Sequence, residues 1–422
     1  MSKPASPPVV SERSVLLTLA LIQFTHIMDF MIMMPLGPQF LRVFKITPAL
    51  FSHLVASYSV SAAVTGFAAG FFLDRFDRKR SLLFLYGGFC LSTLCCALST
   101  NYSMLLIART IAGAFGGVAA SVVLAIIGDV IPPERRGTAM GIVMTSFSIA
   151  SVLGVPAGLY FANLSDWHAP FFILGGTSAL VFFLAVVALP KISTHRAHAH
   201  KVTAVQQMRK ILLHPTHLRA FALSFMLIAT GSLVIPFLSP SMVANAGLTE
   251  KQLPFIYLFG GLATFVTTPW FGRLSDRYDK LKVFGIGSVF AAAVILAITN
   301  MPPAPLWLVL SVTTLFMIGM SARFTPAMAM ITNSVEARYR GGFMSVNAAV
   351  QQVAGGIATL VAGWLVTSDA SGHLRGYPMV GLVAAGCAVA AFFMARRLRH
   401  APIRKHNDAD PTGALVTETI PG

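Results

Sequence analysis

Asp29 lies in Gln23-Phe24-Thr25-His26-Ile27-Met28-Asp29-Phe30, deep in the first apolar stretch of the chain, and is the only acid so placed. Arg109 stands inside the fourth apolar stretch, about 9 Å below its end at 1.5 Å per residue. A charge at that depth costs at least ~2.5 kcal/mol unless it is paired or hydrated, so each is the other's obvious counter-charge. A dry surrounding disfavours the carboxylate and a nearby guanidinium restores it. Opening a wet cavity, or binding a ligand, shifts that balance and moves a proton. A static structural pair would use the same two residues, as would an Asp29 near the surface. His26 is one helical turn from Asp29 on the same face. It is a second proton site or simply a polar residue lining a wet cavity; Gln23 and Phe30 lie near the same face. Arg323 sits close to one end of the tenth apolar stretch, where a long side chain snorkels to the headgroups; recruitment of an anionic substrate is the alternative.

The elements that hold these residues follow from composition. Of 422 residues, 55% are hydrophobic and 11% charged, with a mean hydropathy of +0.73. A water-soluble chain has roughly 25% charged residues, so the main solvent is lipid. The apolar stretches are long and lack alternating polarity, which excludes a transmembrane barrel. Helices remain, because unpaired backbone in hydrocarbon costs several kcal/mol per group. Twelve stretches near spanning length run at about 14–36, 50–72, 81–99, 103–128, 137–161, 168–189, 218–240, 251–272, 281–300, 305–329, 341–367 and 376–396. The expected fold class is an all-α membrane protein of two six-helix bundles, 14–189 and 218–396. They are joined by a linker at 190–217 and flanked by tails at 1–13 and 397–422. The tails are expected to be disordered, with no cleavable signal peptide.

Net charge is +16, but its placement argues against nucleic acid. If the N-terminus is cytoplasmic, only Arg42, Lys45, Lys251 and Arg375 fall outside and Arg109 and Arg323 within spans; the other 25 of 31 lysines and arginines face the cytoplasm. That asymmetry is the positive-inside pattern and puts both termini in the cytoplasm. Cys90, Cys95, Cys96 and Cys387 all lie in apolar stretches, suited to core filling rather than to a disulfide or metal. The linker carries His195, His198, His200, His214 and His217; weak metal binding and a plain solvated linker both fit. No phosphate-binding loop of the Gly-x-x-x-x-Gly-Lys-Ser/Thr type is present, which argues against an ATP-driven pump.

The chain is also duplicated. Gly70-Phe-Phe-Leu-Asp74-Arg75-Phe-Asp77-Arg78-Lys79-Arg80 returns 202 positions later as Gly272-Arg-Leu-Ser-Asp276-Arg277-Tyr-Asp279-Lys280-Leu-Lys282. Arg136-Gly137-Thr-Ala-Met140 matches Arg340-Gly341-Gly-Phe-Met344 at an offset of 204. Two halves in parallel register imply a pseudo-two-fold along the membrane normal, with a substrate site between them near the midplane. Candidate lining residues are Gln23, Phe30, Met33, Tyr58, Tyr257, Asn347 and Gln351. They are polar or aromatic within spans, or, for Met33, one of four soft methionines (with Met28, Met31 and Met34) in the first. The Gly154, Pro156 and Gly158 run thins the fifth span for close packing and allows a bend.

These residues resemble the major facilitator superfamily. The hairpin at 70–80 is similar to that family's Gly-x-Leu-Ala-Asp-Arg-x-Gly-Arg-Lys loop, with Asp77 where the family usually has Gly. Arg109-Thr-Ile-Ala-Gly113-Ala-Phe-Gly116-Gly117 resembles its fourth-helix motif, and Gly154-Val-Pro156-Ala-Gly158 a shortened antiporter motif. The resemblance covers roughly 14–396 and is closest to the drug and sugar efflux branch. It implies a cytoplasmic gate of Gly70, Asp74, Arg75, Arg78, Asp129, Asp276 and Arg277. Asp74 would meet the eleventh helix's N-terminus, Arg75 would pair with Asp129, and Asp276 would face the start of the fifth helix at Gly137. Asn333 replaces Asp129 in the second repeat, which weakens the second latch. The expectation is a monomeric, non-enzymatic secondary transporter of a bacterial inner membrane, with no cofactor beyond protons as coupling ion. It exports a small organic molecule against protons, with Asp29, Arg109 and His26 as the coupling residues. An importing symporter or uniporter, and a non-transporting receptor or scaffold, are the alternatives.

Overall fold

A computed structural model describes residues 12–72, 76–132, 135–190, 204–336, 339–369 and 372–399. The expected gate residues Asp74 and Arg75, both tails, and His195, His198 and His200 lie outside the described residues. Among those described, twelve helices are long and apolar enough to span a membrane. In order they are Glu12–Ile32, Pro48–Phe72, Arg78–Ala97, Tyr102–Val130, Arg136–Leu164, Ala169–Ala188, Pro215–Ala244, Leu253–Arg277, Lys280–Thr299, Leu306–Asn333, Arg340–Leu365 and Tyr377–Arg399. They are called the first to twelfth spans below. Large apolar side chains such as Phe84, Leu180 and Val187 are more than 70% exposed, as hydrocarbon solvation allows.

Local chemistry explains most departures from the expected stretches. The first helix stops at Ile32, short of 36, because Pro35, Gly37 and Pro38 follow; the chain turns and forms a short helix, Gly37–Val43. The fifth span widens into a π turn at Ala150–Gly154. Pro156, two residues on, lacks the N–H that would close the regular turn there. Asp77, the residue that departs from the family loop, accepts a hydrogen bond from the Arg80 amide at 2.9 Å and caps the third span. Asp279, its repeat partner, caps the ninth by accepting from the amides of Leu281 and Lys282. The second Asp of each hairpin therefore starts the next helix. Gly70 falls in the last turn of the second span.

The packing is different at the two ends of the bundle. The end that carries Glu12 and Arg399 is called the base. At the opposite, far end one hydrophobic core crosses both halves, from Leu36, Phe40, Phe51 and Trp167 to Phe237, Leu248, Val366 and Tyr377. Toward the base there are two cores instead. One is built from the first half alone, with Leu82, Tyr86, Val123 and Ile127. The other is built from the second half alone, with Phe221, Phe284, Ile331 and Leu398. The halves are thus closed at the far end and parted at the base.

Named contacts make up the closure. Phe51 of the second span meets Phe237 of the seventh with ring centroids 5.8 Å apart. Gly356 of the eleventh span leaves room for Val60, and Gly261 of the eighth lies against the π turn at Ser151 and Val152. Arg42, on the short helix, forms an ion pair with Glu250 of the other half. Asn163 Nδ2 donates to the Glu250 carbonyl at 3.2 Å. Arg42 is 65% and Glu250 18% exposed, so the pair contributes about 0.2–1 kcal/mol. Glu250→Gln is expected to loosen the far end by up to about fivefold in population. Faster hydrogen exchange of the amides in 37–43 reports it; unchanged exchange counts against a latch there.

Candidate functional site

Asp29 and Arg109 are in contact. Arg109 Nη1 donates to Asp29 Oδ2 at 2.6 Å and to the Asp29 carbonyl at 3.2 Å. Both side chains are sealed, at 0% and 1% exposure. Two further groups hold the pair. Thr93 of the third span donates its hydroxyl to Asp29 Oδ1 at 3.4 Å. The Tyr58 ring of the second span covers the guanidinium, with Cζ 4.6 Å from the ring centroid, a desolvated cation–π contact. Four spans of the first half thus converge on one ion pair.

The pair is continued toward the base by polar atoms without protein partners. Among the described residues, Gln23 Oε1, both ring nitrogens of His26, the Tyr58 hydroxyl and Arg109 Nε are buried and unbonded. His26 lies 6.0 Å, centroid to centroid, from Tyr58, and Phe30 lies 5.5 Å from it. Orphaned buried polar atoms cost about 1–3 kcal/mol each, and here they cluster beside the one intramembrane acid. The crowding depends on glycine. A Cβ at Gly116 would come within 2.9 Å of His26, and one at Gly113 would overlap Ser61 Oγ and the Tyr58 carbonyl. Gly113→Ala must therefore push the second and fourth spans apart. The expected cost is about 1–3 kcal/mol, read as a lower thermal midpoint in detergent; an unchanged midpoint refutes the packing.

Several expected cavity residues are engaged elsewhere. Met33 is fully buried in the far-end core, because the chain turns there rather than continuing as helix. Tyr257 is buried and shares a 2.8 Å hydrogen bond with Ser239. Asn347 is buried and accepts from Ser224 at 2.5 Å, joining the seventh and eleventh spans. The Tyr257 hydroxyl and the Asn347 side-chain oxygen thus each have a partner inside the second half in this state. Gln351 is half-buried, with Nε2 3.6 Å from Met328 Sδ. Gly154 and Gly158 face the first span, where added Cβ atoms would meet Met28 and Ile32 at 2.7 Å. Pro156 is half-buried in the same run.

At the base, Asp129 pairs with Arg78, Nε to Oδ2 at 3.1 Å, within the first half. Asp276 and Arg277 are exposed, and among the described residues Asp276 forms no ion pair with the fifth span. The expected meeting of Asp276 with the Gly137 end of that span is absent because the halves are parted there; nothing lies within 4 Å of a Cβ placed at Gly137. A groove of ≈ 580 Å³ on the base rim, lined by Leu218, Arg219, Ala222, Met394 and Arg397, lies away from the ion pair.

Arg323 overturns the snorkelling expectation. It is 1% exposed, because the tenth span continues to Asn333 and leaves it about 15 Å from that end. Its Nε donates to Ser288 Oγ at 3.3 Å and its Nη2 to Thr230 Oγ1 at 3.4 Å. The residues missed from sequence are Thr93, Ser288, Thr230 and the Arg42–Glu250 pair. Only the last had a signal, opposite charges on two loops of the same membrane side.

The Major Facilitator Superfamily pattern matches residues 19–228 and 220–420. The chain belongs to that superfamily. It is similar to the uncharacterized MFS-type transporter YceJ of Bacillus subtilis (strain 168), at 25% identity over 81% of this chain and 86% of that protein. It is also similar to Multidrug resistance protein 2 of the same organism, at 23% identity over 62% of this chain and 66% of that one. In fold it is similar to the crystal structure of a D-xylose-proton symporter, with a TM-score of 0.75 at 16% identity, covering 90% of this chain and 97% of that chain. As a superfamily transporter, the chain adopts a state open at the base and closed at the far end.

Proposed function

We propose that this transporter is a proton-coupled exporter of a small organic molecule in a bacterial inner membrane, with both termini, and hence the base, in the cytoplasm. The carrying observation is the Asp29–Arg109 pair, an acid and a cation both sealed inside the first half. In the base-open state the carboxylate is committed to Arg109 and shielded from both sides. A proton arriving at Asp29 removes the attraction that holds the first and fourth spans together. Opening and closing of the halves then becomes linked to protonation. His26, with two unbonded ring nitrogens one turn nearer the base, is the second proton site in this reading. Orientation is supported by the lysines and arginines concentrated at the base. Export is supported by similarity to a multidrug resistance protein, while the symporter likeness carries the fold alone. The protein works as a monomer, with protons as its only coupling ion.

The test is flux in proteoliposomes of the purified protein under an imposed pH gradient, screened with labelled sugars and hydrophobic drugs. Substrate moving against the direction of proton flow supports exchange. Co-movement of substrate and protons identifies an importing symporter and refutes export.

A further inference from the structure

The two halves treat their buried arginines differently. Arg109 of the fourth span is met by Asp29 of the first and Thr93 of the third. Arg323 of the tenth span is met by Thr230 of the seventh and Ser288 of the ninth. Tenth, seventh and ninth are the duplicates of fourth, first and third. The same three helices thus surround a guanidinium in each half, but the second half supplies a hydroxyl where the first supplies a carboxylate. The acids of the second half are Glu250, Asp276, Asp279, Glu336 and Asp369, with three more in the tail past residue 399; among the described residues all lie at or beyond helix ends. No other side chain within these spans can neutralise Arg323.

A guanidinium stays charged at every working pH. At this depth an uncompensated one costs at least ~2.5 kcal/mol, and two hydroxyl contacts at 3.3 and 3.4 Å offset little of that. The Phe284 ring lies 5.9 Å from its Cζ, at the edge of cation–π range. Thr230 lies two turns toward the base from Phe237, on the same side of the helix. Phe237 touches the first half through Phe51, so Thr230, itself fully buried in this state, lies on the side of the seventh span that meets the other half. The flexible stem of Arg323 can carry its head there.

We propose that Arg323, Ser288 and Thr230 form an anion site, and that the transported molecule bears a carboxylate which neutralises Arg323. This rests on the reading of the chain as a substrate exporter and names its substrate class. The carboxylate accepts two charge-assisted hydrogen bonds from the guanidinium fork and one from the Ser288 hydroxyl, while Thr230, whose hydroxyl donates to the Met226 carbonyl at 2.8 Å, holds the guanidinium as an acceptor. Cationic drugs are disfavoured, since the membrane interior holds two arginines against one acid.

Purified protein in detergent is titrated with sodium benzoate and sodium salicylate at constant ionic strength. Sodium chloride serves as the inorganic anion and tetraphenylphosphonium as the cation. Benzoate or salicylate is expected to raise the thermal midpoint of the wild type. Arg323→Met should weaken that binding at least about tenfold, and Arg323→Lys should retain part of it. Without ligand, Arg323→Met is expected to melt no lower than the wild type, because it removes an unneutralised charge. If that variant does not fold, Ser288→Ala with Thr230→Val supplies the same comparison, and weakened benzoate binding is again the expected result. The titration is read in detergent without a pH gradient, so loss of anion binding is visible separately from the flux test of proton coupling. The proposal is overturned if neither carboxylate stabilises the wild type, or if both bind equally well to the Arg323 and hydroxyl variants. Chloride stabilising as strongly as benzoate overturns the substrate assignment.

Discussion

Asp29→Asn is expected to abolish proton-driven transport while leaving the protein in the membrane. The variant keeps the shape of the side chain and its contact with Thr93, but it can neither carry a proton nor balance Arg109. Two consequences separate coupling from mere structure. First, uphill flux under a pH gradient should fall to background in proteoliposomes, whereas energy-independent exchange of a substrate returned by the flux screen should persist. Second, Arg109 is left buried and unpaired, an insult of about 3–5 kcal/mol, so the thermal midpoint should drop. The double variant Asp29→Asn with Arg109→Met removes that orphaned charge. It should recover stability without recovering coupling. Full gradient-driven flux in the stable double variant would show that the pair is only a structural fastening.

The contrast with Arg323 sharpens this. In the first half the cation already has its acid, so removing the acid is harmful. In the second half Arg323 meets only the Ser288 and Thr230 hydroxyls, so removing the cation is not. The same physical rule, that a charge in hydrocarbon must be neutralised, gives opposite stability outcomes because the partner sets differ.

Much of this was readable from residue order. The twelve spans follow from apolar length, the duplication from the repeated hairpin, and the Asp29–Arg109 contact from two lone charges with no other partner. What could not be read depends on helix rotation. Asn347 and Tyr257 looked like cavity residues because they are polar within spans, yet each had a hydroxyl waiting on a neighbouring helix face. Arg323 looked close to a headgroup because the tenth stretch seemed to end at 329. The added turn to Asn333 places it inside the bilayer. Met33 looked helical until two prolines and a glycine redirected the chain. Asp77 looked like a defect in the family loop and is instead a helix cap. The base-open state itself has no sequence signature, since both states use the same spans.

Gly363→Val is the second substitution expected to have a large effect, and it acts on that state alone. Gly363 lies toward the far end of the eleventh span, against Ser52 of the second, and a Cβ there would overlap both Oγ and Cβ of Ser52. Ser52 cannot move aside easily. It is fully buried, and its hydroxyl donates to the Ala49 carbonyl at 2.7 Å. Ala49 Cα stands only 3.4 Å from the same point. The two helices must separate, and their separation is what the far-end closure forbids. Overpacking of this kind costs about 1–3 kcal/mol, which shifts a two-state equilibrium about fivefold to more than a hundredfold. The shift is toward the state closed at the base, where the second and eleventh spans are free to part at the far end. Spin labels at positions 43 and 251, on opposite halves of the far rim, should move apart in the variant. Labels across the base should move together. The Arg42–Glu250 pair, being exposed, should be unable to hold the rim against this, so combining Glu250→Gln with Gly363→Val should add little. An unchanged far-rim distance in Gly363→Val, with transport intact, would mean that the contact between the second and eleventh spans is not what closes the far end.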